Sequence, residues 1–102
     1  MGFPQQIETL VKVSTQYAAG AGQTVLVTTG TTGVSVTLPT ASSAASPIKV
    51  RKVDAGTGAL TVETSDGSEI DGVPGTPGIQ TAAQHTGWTF ACDGANWWVV
   101  SA

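Results

Sequence analysis

Short runs with an apolar residue at every second position, cut by Gly or Pro at roughly eight- to twelve-residue intervals, constrain this chain more than any other feature. Val11 and Val13 alternate with Lys12 and Ser14, and Val25 and Val27 with Thr24, Leu26 and Thr28. Val34, Val36 and Leu38 follow the same rule until Pro39, which has no N–H to give a neighbouring strand. Ile48 and Val50 alternate with Lys49 and Arg51, Leu60 and Val62 with Thr61 and Glu63, and Trp88, Phe90 and Cys92 with Thr89 and Ala91. A period of two places one set of side chains in a core and the other in solvent. Helical windows are poor: Ile7 to Val11 is the best, and Thr40 to Ser46 is too short and too weakly amphipathic. Ile70 to Gly78, with Pro74 and Pro77 among three glycines, reads as a loop. The expectation is an all-β domain, a compact antiparallel β-sandwich or small barrel of about seven to eight short strands. Residues 11–102 form that domain and residues 1–10 an N-terminal arm.

The last two strands carry the sharpest local inference. Asp93-Gly94 is a hairpin signal because a type I′ turn needs positive φ at both central residues. A two-residue turn pairs Phe90 with Trp97; a four-residue connection, Asp93 to Asn96, shifts the partner by two. The shift is even, so the facial sets survive it. Trp88, Phe90, Cys92, Trp97 and Val99 share the core face; Thr89, Ala91, Trp98 and Val100 share the other. Trp98 and Val100 are therefore the expected subunit or partner surface.

Charge excludes several roles. Charged residues make up 11% of the chain, well below the usual quarter, and the net charge is −3. Three of the four basic residues, Lys49, Arg51 and Lys52, fall in one short run, too few to neutralise a line of phosphates, so no nucleic-acid partner is expected. No apolar run is long enough for a membrane helix, and the first residues lack the basic start and apolar stretch of a secretory signal.

Catalytic groups are equally sparse. His85, the one imidazole, has no nucleophile and orienting carboxylate in any local signature and reads as a surface or strand-edge residue. Cys92, the one thiol, alternates into the aromatic face and reads as inert. Asp66, Glu69 and Asp71 miss calcium-loop spacing, and Asp66-Gly67 and Asp71-Gly72 are turn dipeptides. Gly30-Thr31-Thr32-Gly33 and Gly56-Thr57-Gly58 lack the Lys and following helix of a phosphate loop and read as turns. The chain is expected not to be an enzyme, with no cofactor and no metal.

Gly33-Val34-Ser35-Val36-Thr37-Leu38-Pro39, then Ile48-Lys49-Val50-Arg51-Lys52-Val53-Asp54, Leu60-Thr61-Val62-Glu63, Glu69-Ile70-Asp71-Gly72 and Cys92-Asp93-Gly94-Ala95-Asn96-Trp97-Trp98 together resemble a β module of tailed-bacteriophage fibre, head-fibre and capsid-decoration proteins. The resemblance spans residues 13–100 and implies a compact β domain assembled as a homotrimer on the virion exterior, with no catalytic residues. A free-standing module without a shaft fits a capsid decoration protein that docks on the major capsid protein and stabilises the head. Its synthesis is expected in the host cytoplasm and its residence on the capsid exterior. Phe3, Pro4, Ile7 and Leu10 are the candidate docking arm. The alternative is a receptor- or carbohydrate-binding module of a fibre, meeting a host surface glycan through Trp98 and His85.

Overall fold

In the computed structural model, residues 9–41 and 47–101 are described. Among them the chain forms eleven strands and no helix. The first six are β1 (Thr9–Val13), β2 (Tyr17–Ala18), β3 (Gln23–Val27), β4 (Val34–Leu38), β5 (Ile48–Lys52) and β6 (Leu60–Thr64). The rest are β7 (Glu69–Ile70), β8 (Val73–Pro74), β9 (Ile79–Thr81), β10 (Thr86–Cys92) and β11 (Trp97–Ser101). One sheet has the order β1-β3-β5-β10-β11-β7-β8 and the other β2-β4-β6-β9.

The order exposes a winding rule. Up to β6 the chain visits the two sheets alternately, so β1, β3 and β5 lie side by side in one and β2, β4 and β6 in the other. Strands reached after a full turn run the same way, and these neighbours are parallel. From β9 onward the chain doubles back. β9 joins β6, β10 joins β5 and β11 joins β10, all antiparallel. The sheets are therefore mixed rather than antiparallel as expected. Alternation fixes which side chains face inward but carries no information on strand direction.

Parallel register stacks like residues into columns. Val11, Val25 and Val50 align across the first sheet, and Val36 pairs with Val62 in the second. Inward residues of both sheets meet in one core: Val25, Val27, Ile48, Val50, Phe90 and Trp97 from the first; Val34, Val36, Leu38, Leu60 and Val62 from the second. Each large side chain so buried contributes about 1.5–3 kcal/mol before chain entropy is counted. Trp97 is fully buried, and its indole N–H donates to the Pro39 carbonyl at 3.2 Å, tying β11 to the end of β4. No buried polar side-chain atom among the described residues lacks a hydrogen-bond partner.

One other expectation is revised, and two local alternatives are resolved. The weak helical window at Ile7 to Val11 overlaps a strand, since β1 begins at Thr9. Ile70, placed in a loop, is fully buried. It belongs to a miniature hairpin in which Ile70 faces Val73 across Asp71-Gly72, both at positive φ (55° and 87°). That is one of the two turn geometries open to Asp93-Gly94. Of the two connections open at Asp93-Gly94, the four-residue one forms, pairing Cys92 with Trp97 and Phe90 with Val99. The Asp93 carboxylate explains the length: Oδ1 accepts the N–H groups of Ala95 (2.9 Å) and Asn96 (2.8 Å).

Candidate functional site

β5 carries the chemistry of the molecule because the pleat sorts its cations. Ile48, Val50 and Lys52 point inward; Lys49 and Arg51 point out. Lys52 is fully buried. Its Nζ lies within hydrogen-bond distance of Thr29 Oγ1 (2.8 Å), Asp54 Oδ1 (2.9 Å) and the carbonyls of Asp54 (3.0 Å) and Gly56 (2.9 Å). The Asp54 carboxylate also accepts the backbone N–H groups of Thr29, Gly30 and Gly56. The Thr29 amide and then the Lys52 ammonium hold the Asp54 carboxyl far below the ordinary carboxylate value. The cluster locks the β3–β4 turn to the β5–β6 turn. Sequence reading placed Lys52 in a basic run; counting parity from Ile48 and Val50 would have turned it inward.

On the outer side the register lays out a polar row. Leu10 pairs with Thr24, Thr24 with Lys49, Lys49 with Thr89 and Thr89 with Ser101. In the next row Lys12 pairs with Leu26, Leu26 with Arg51 and Arg51 with Gly87. Lys12, Lys49 and Arg51 are exposed on this one face. The outer face of the second sheet has Ser35, Thr37, Thr61 and Gln80, with Glu63 its charged residue among the described strands.

A half-open groove of about 560 Å³ runs across the first sheet's outer face. Thr24, Lys49, Thr89 and Ser101 from the first row line it, and Arg51 borders it. Its end is formed by His85, Gly87 and Trp88, which also line a smaller neighbouring groove. Gly87 is required there: a Cβ would collide with the Val50 carbonyl oxygen and the Arg51 Cα. His85 is exposed and adopts φ of 63°, while its N–H donates to the Lys52 carbonyl at 2.8 Å. A non-glycine residue in the left-handed region is uncommon, and the hydrogen bond offsets part of its cost. Trp88 is half-buried and tilted against Phe90, their ring centres 5.9 Å apart. Among the described residues no acidic side chain lines the groove.

Trp98 and Val100 point outward, 42% and 59% exposed. The Trp98 indole N–H donates to Asp93 Oδ2 at 2.9 Å, which pins the ring to its own hairpin. Trp98 pairs with Ala91, six residues from His85, a separation of about 20 Å along a strand. The two do not form one platform; Trp88, not Trp98, is the tryptophan beside His85. Leu10 is 58% exposed on edge strand β1, whereas Phe3, Pro4 and Ile7 lie outside the described residues. Cys92 is half-buried against the core. No cluster of metal-ligating side chains occurs among the described residues. Instead, Asp66 accepts from Ala41, Ser68 N and Ser68 Oγ, and Asp71 accepts from Val99 N.

Comparison with known families, curated proteins and solved structures finds no match to this chain.

Proposed function

We propose that the chain is a structural protein of a phage particle: a homotrimeric capsid decoration module that docks on the major capsid protein at the head exterior and stabilises it. The observation that carries this reading is where the exposed apolar side chains lie. Leu10 stands on β1 at one margin of the first sheet's outer face, and Trp98 and Val100 on β11 near the other. Four strand spacings, about 19 Å, separate them. Two unlike margins suit a head-to-tail contact that repeats around a threefold axis and closes. The resemblance of the sequence motifs, in their order and spacing, to phage modules supports the same role, and the reading takes the two sheets as the layers of a small β-sandwich.

Light scattering on the purified protein tests the assembly: the expected mass is that of three 10.2 kDa chains. A strict monomer at high concentration would sink the trimer. Adding the protein to undecorated heads tests the role, and failure to bind would remove it. A receptor- or carbohydrate-binding role in a fibre is the second reading, favoured by the groove beside Trp88 rather than by Trp98.

A further inference from the structure

The outer face of the first sheet is polarised from one margin to the other. Every exposed Lys or Arg among the described residues, Lys12, Lys49 and Arg51, stands on β1 or β5. Lys49 is engaged within its own chain, and Lys12 and Arg51 are the cations that an incoming surface would meet. The far half is acidic. Ile70 pairs with Trp97 and both are buried, so Glu69, one residue earlier on β7, turns outward and is exposed. Asp71 follows in the exposed turn to β8, and Asp93, also exposed, holds the Trp98 indole beside them. Five strand spacings, about 24 Å, separate β1 from β7. Charged residues make up only 11% of the chain, so their sorting by sign across one face is not a by-product of crowding.

Apolar side chains accompany both poles. Leu10 stands beside Lys12 on β1, and Trp98 and Val100 lie on β11, next to β7. A backbone ladder between the two edges is blocked. On β1 the Val13 carbonyl accepts from Thr28, so the backbone groups of Val13 and Val11 point at β3 and those of Leu10 and Lys12 point away. On β8, Val73 faces Ile70 within its hairpin, and Pro74 has no N–H to offer a further strand. Recognition between these unlike margins therefore falls to side chains.

We propose that a second copy of this chain docks on this face head to tail, with Lys12 and Arg51 of one protomer against Glu69 and Asp71 of the next, and Leu10 against Trp98 and Val100. The inference rests on the trimer reading and adds to it the charges that give the contact a direction. Bringing two identical margins together sets cation against cation or acid against acid, which disfavours a twofold pair. The contact is heterologous, and three of them close a ring.

Light scattering of the full-length protein at low and high salt, with charge-reversal variants, tests it. The wild type is expected to be a trimer that dissociates more readily as ionic strength rises. Lys12→Glu and Glu69→Lys, each alone, are expected to weaken one contact about fivefold; a closed ring repeats the contact, so the trimer weakens about a hundredfold. Both side chains are exposed, and circular dichroism is expected to show an unchanged fold. Combining the two reversals in one chain is expected to restore the trimer. Glu63→Lys makes the same change in net charge as Glu69→Lys but on the outer face of the second sheet, and is expected to leave the mass unchanged. A wild-type monomer would remove the trimer reading and this inference together. A wild-type trimer indifferent to both reversals, equally sensitive to Glu63→Lys, or not recovered by the double reversal would overturn this inference and leave the trimer standing.

Discussion

Arg51-Lys52 on β5 and Trp97-Trp98 on β11 are two pairs of like neighbours, and the sheet treats the members of each pair in opposite ways. Lys52 and Trp97 are fully buried; Arg51 and Trp98 are exposed. Inside, a cation is consumed by structure, surrounded by four oxygens, and an indole fills the core while donating to Pro39. Outside, the same residue types are presented to whatever meets the sheet. Residue type alone says nothing of function here; parity does. A short charge run therefore splits into a fold-holding residue and a solvent-facing one.

The sharpest way to break this contrast is at the tryptophans. Trp97→Ala is expected to cost about 3–5 kcal/mol, from lost burial and the cavity left behind. Trp98→Ala, measured by the same urea titration, is expected to cost less than about 1 kcal/mol. Comparable losses would mean that the outer ring also holds the fold. At β5 the expected gap is somewhat smaller. Lys52→Met strands Thr29 Oγ1 and two carbonyls without their donor and should cost about 2–4 kcal/mol, whereas Arg51→Met should change the midpoint by less than about 0.5 kcal/mol.

Gly87→Ala tests the groove's end wall. Its methyl group meets the Val50 carbonyl, so a loss of about 1–3 kcal/mol is expected as β10 moves away from β5. The smallest expected effect is on pH dependence. Asp66, held by the Ser68 hydroxyl and the Ala41 amide, and Asp93, held by the Asn96 amide and the Trp98 indole, are each lowered to about 2; Asp54 lies lower still. A lowered carboxylate stabilises the fold above its unfolded value and loses that contribution as pH falls. The unfolding midpoint should therefore be flat above about pH 5 and decline as pH falls toward about 2. Asp54→Asn should make that decline shallower, and an unchanged slope would separate the Lys52 cluster from acid stability.

Much of this was legible from alternation. The long strands, the ends at Pro39 and near Asp93, the core face of Phe90 and Trp97 and the outward turn of Trp98 follow from a two-residue period. The short strands β2, β7, β8 and β9 did not show, since two or three residues give no period to count. Ile70 was hidden for the same reason, one apolar residue among turn signals. Lys52 was hidden by its charge, because a lysine is seldom placed in a core unless its partners are known. Those partners, Thr29 and Gly56, come from turns distant in sequence or beyond the end of the strand. The groove assembled from four strands had no local signature at all.

By itself the sequence determined which side of each long strand faces the core, because backbone stereochemistry sends neighbouring side chains to opposite sides wherever a strand forms. Tertiary structure alone decided that the first six strands wind between two sheets and stack in parallel, and so which outer residues meet in the groove. Both depend on pairing between residues far apart along the chain, which no local period encodes.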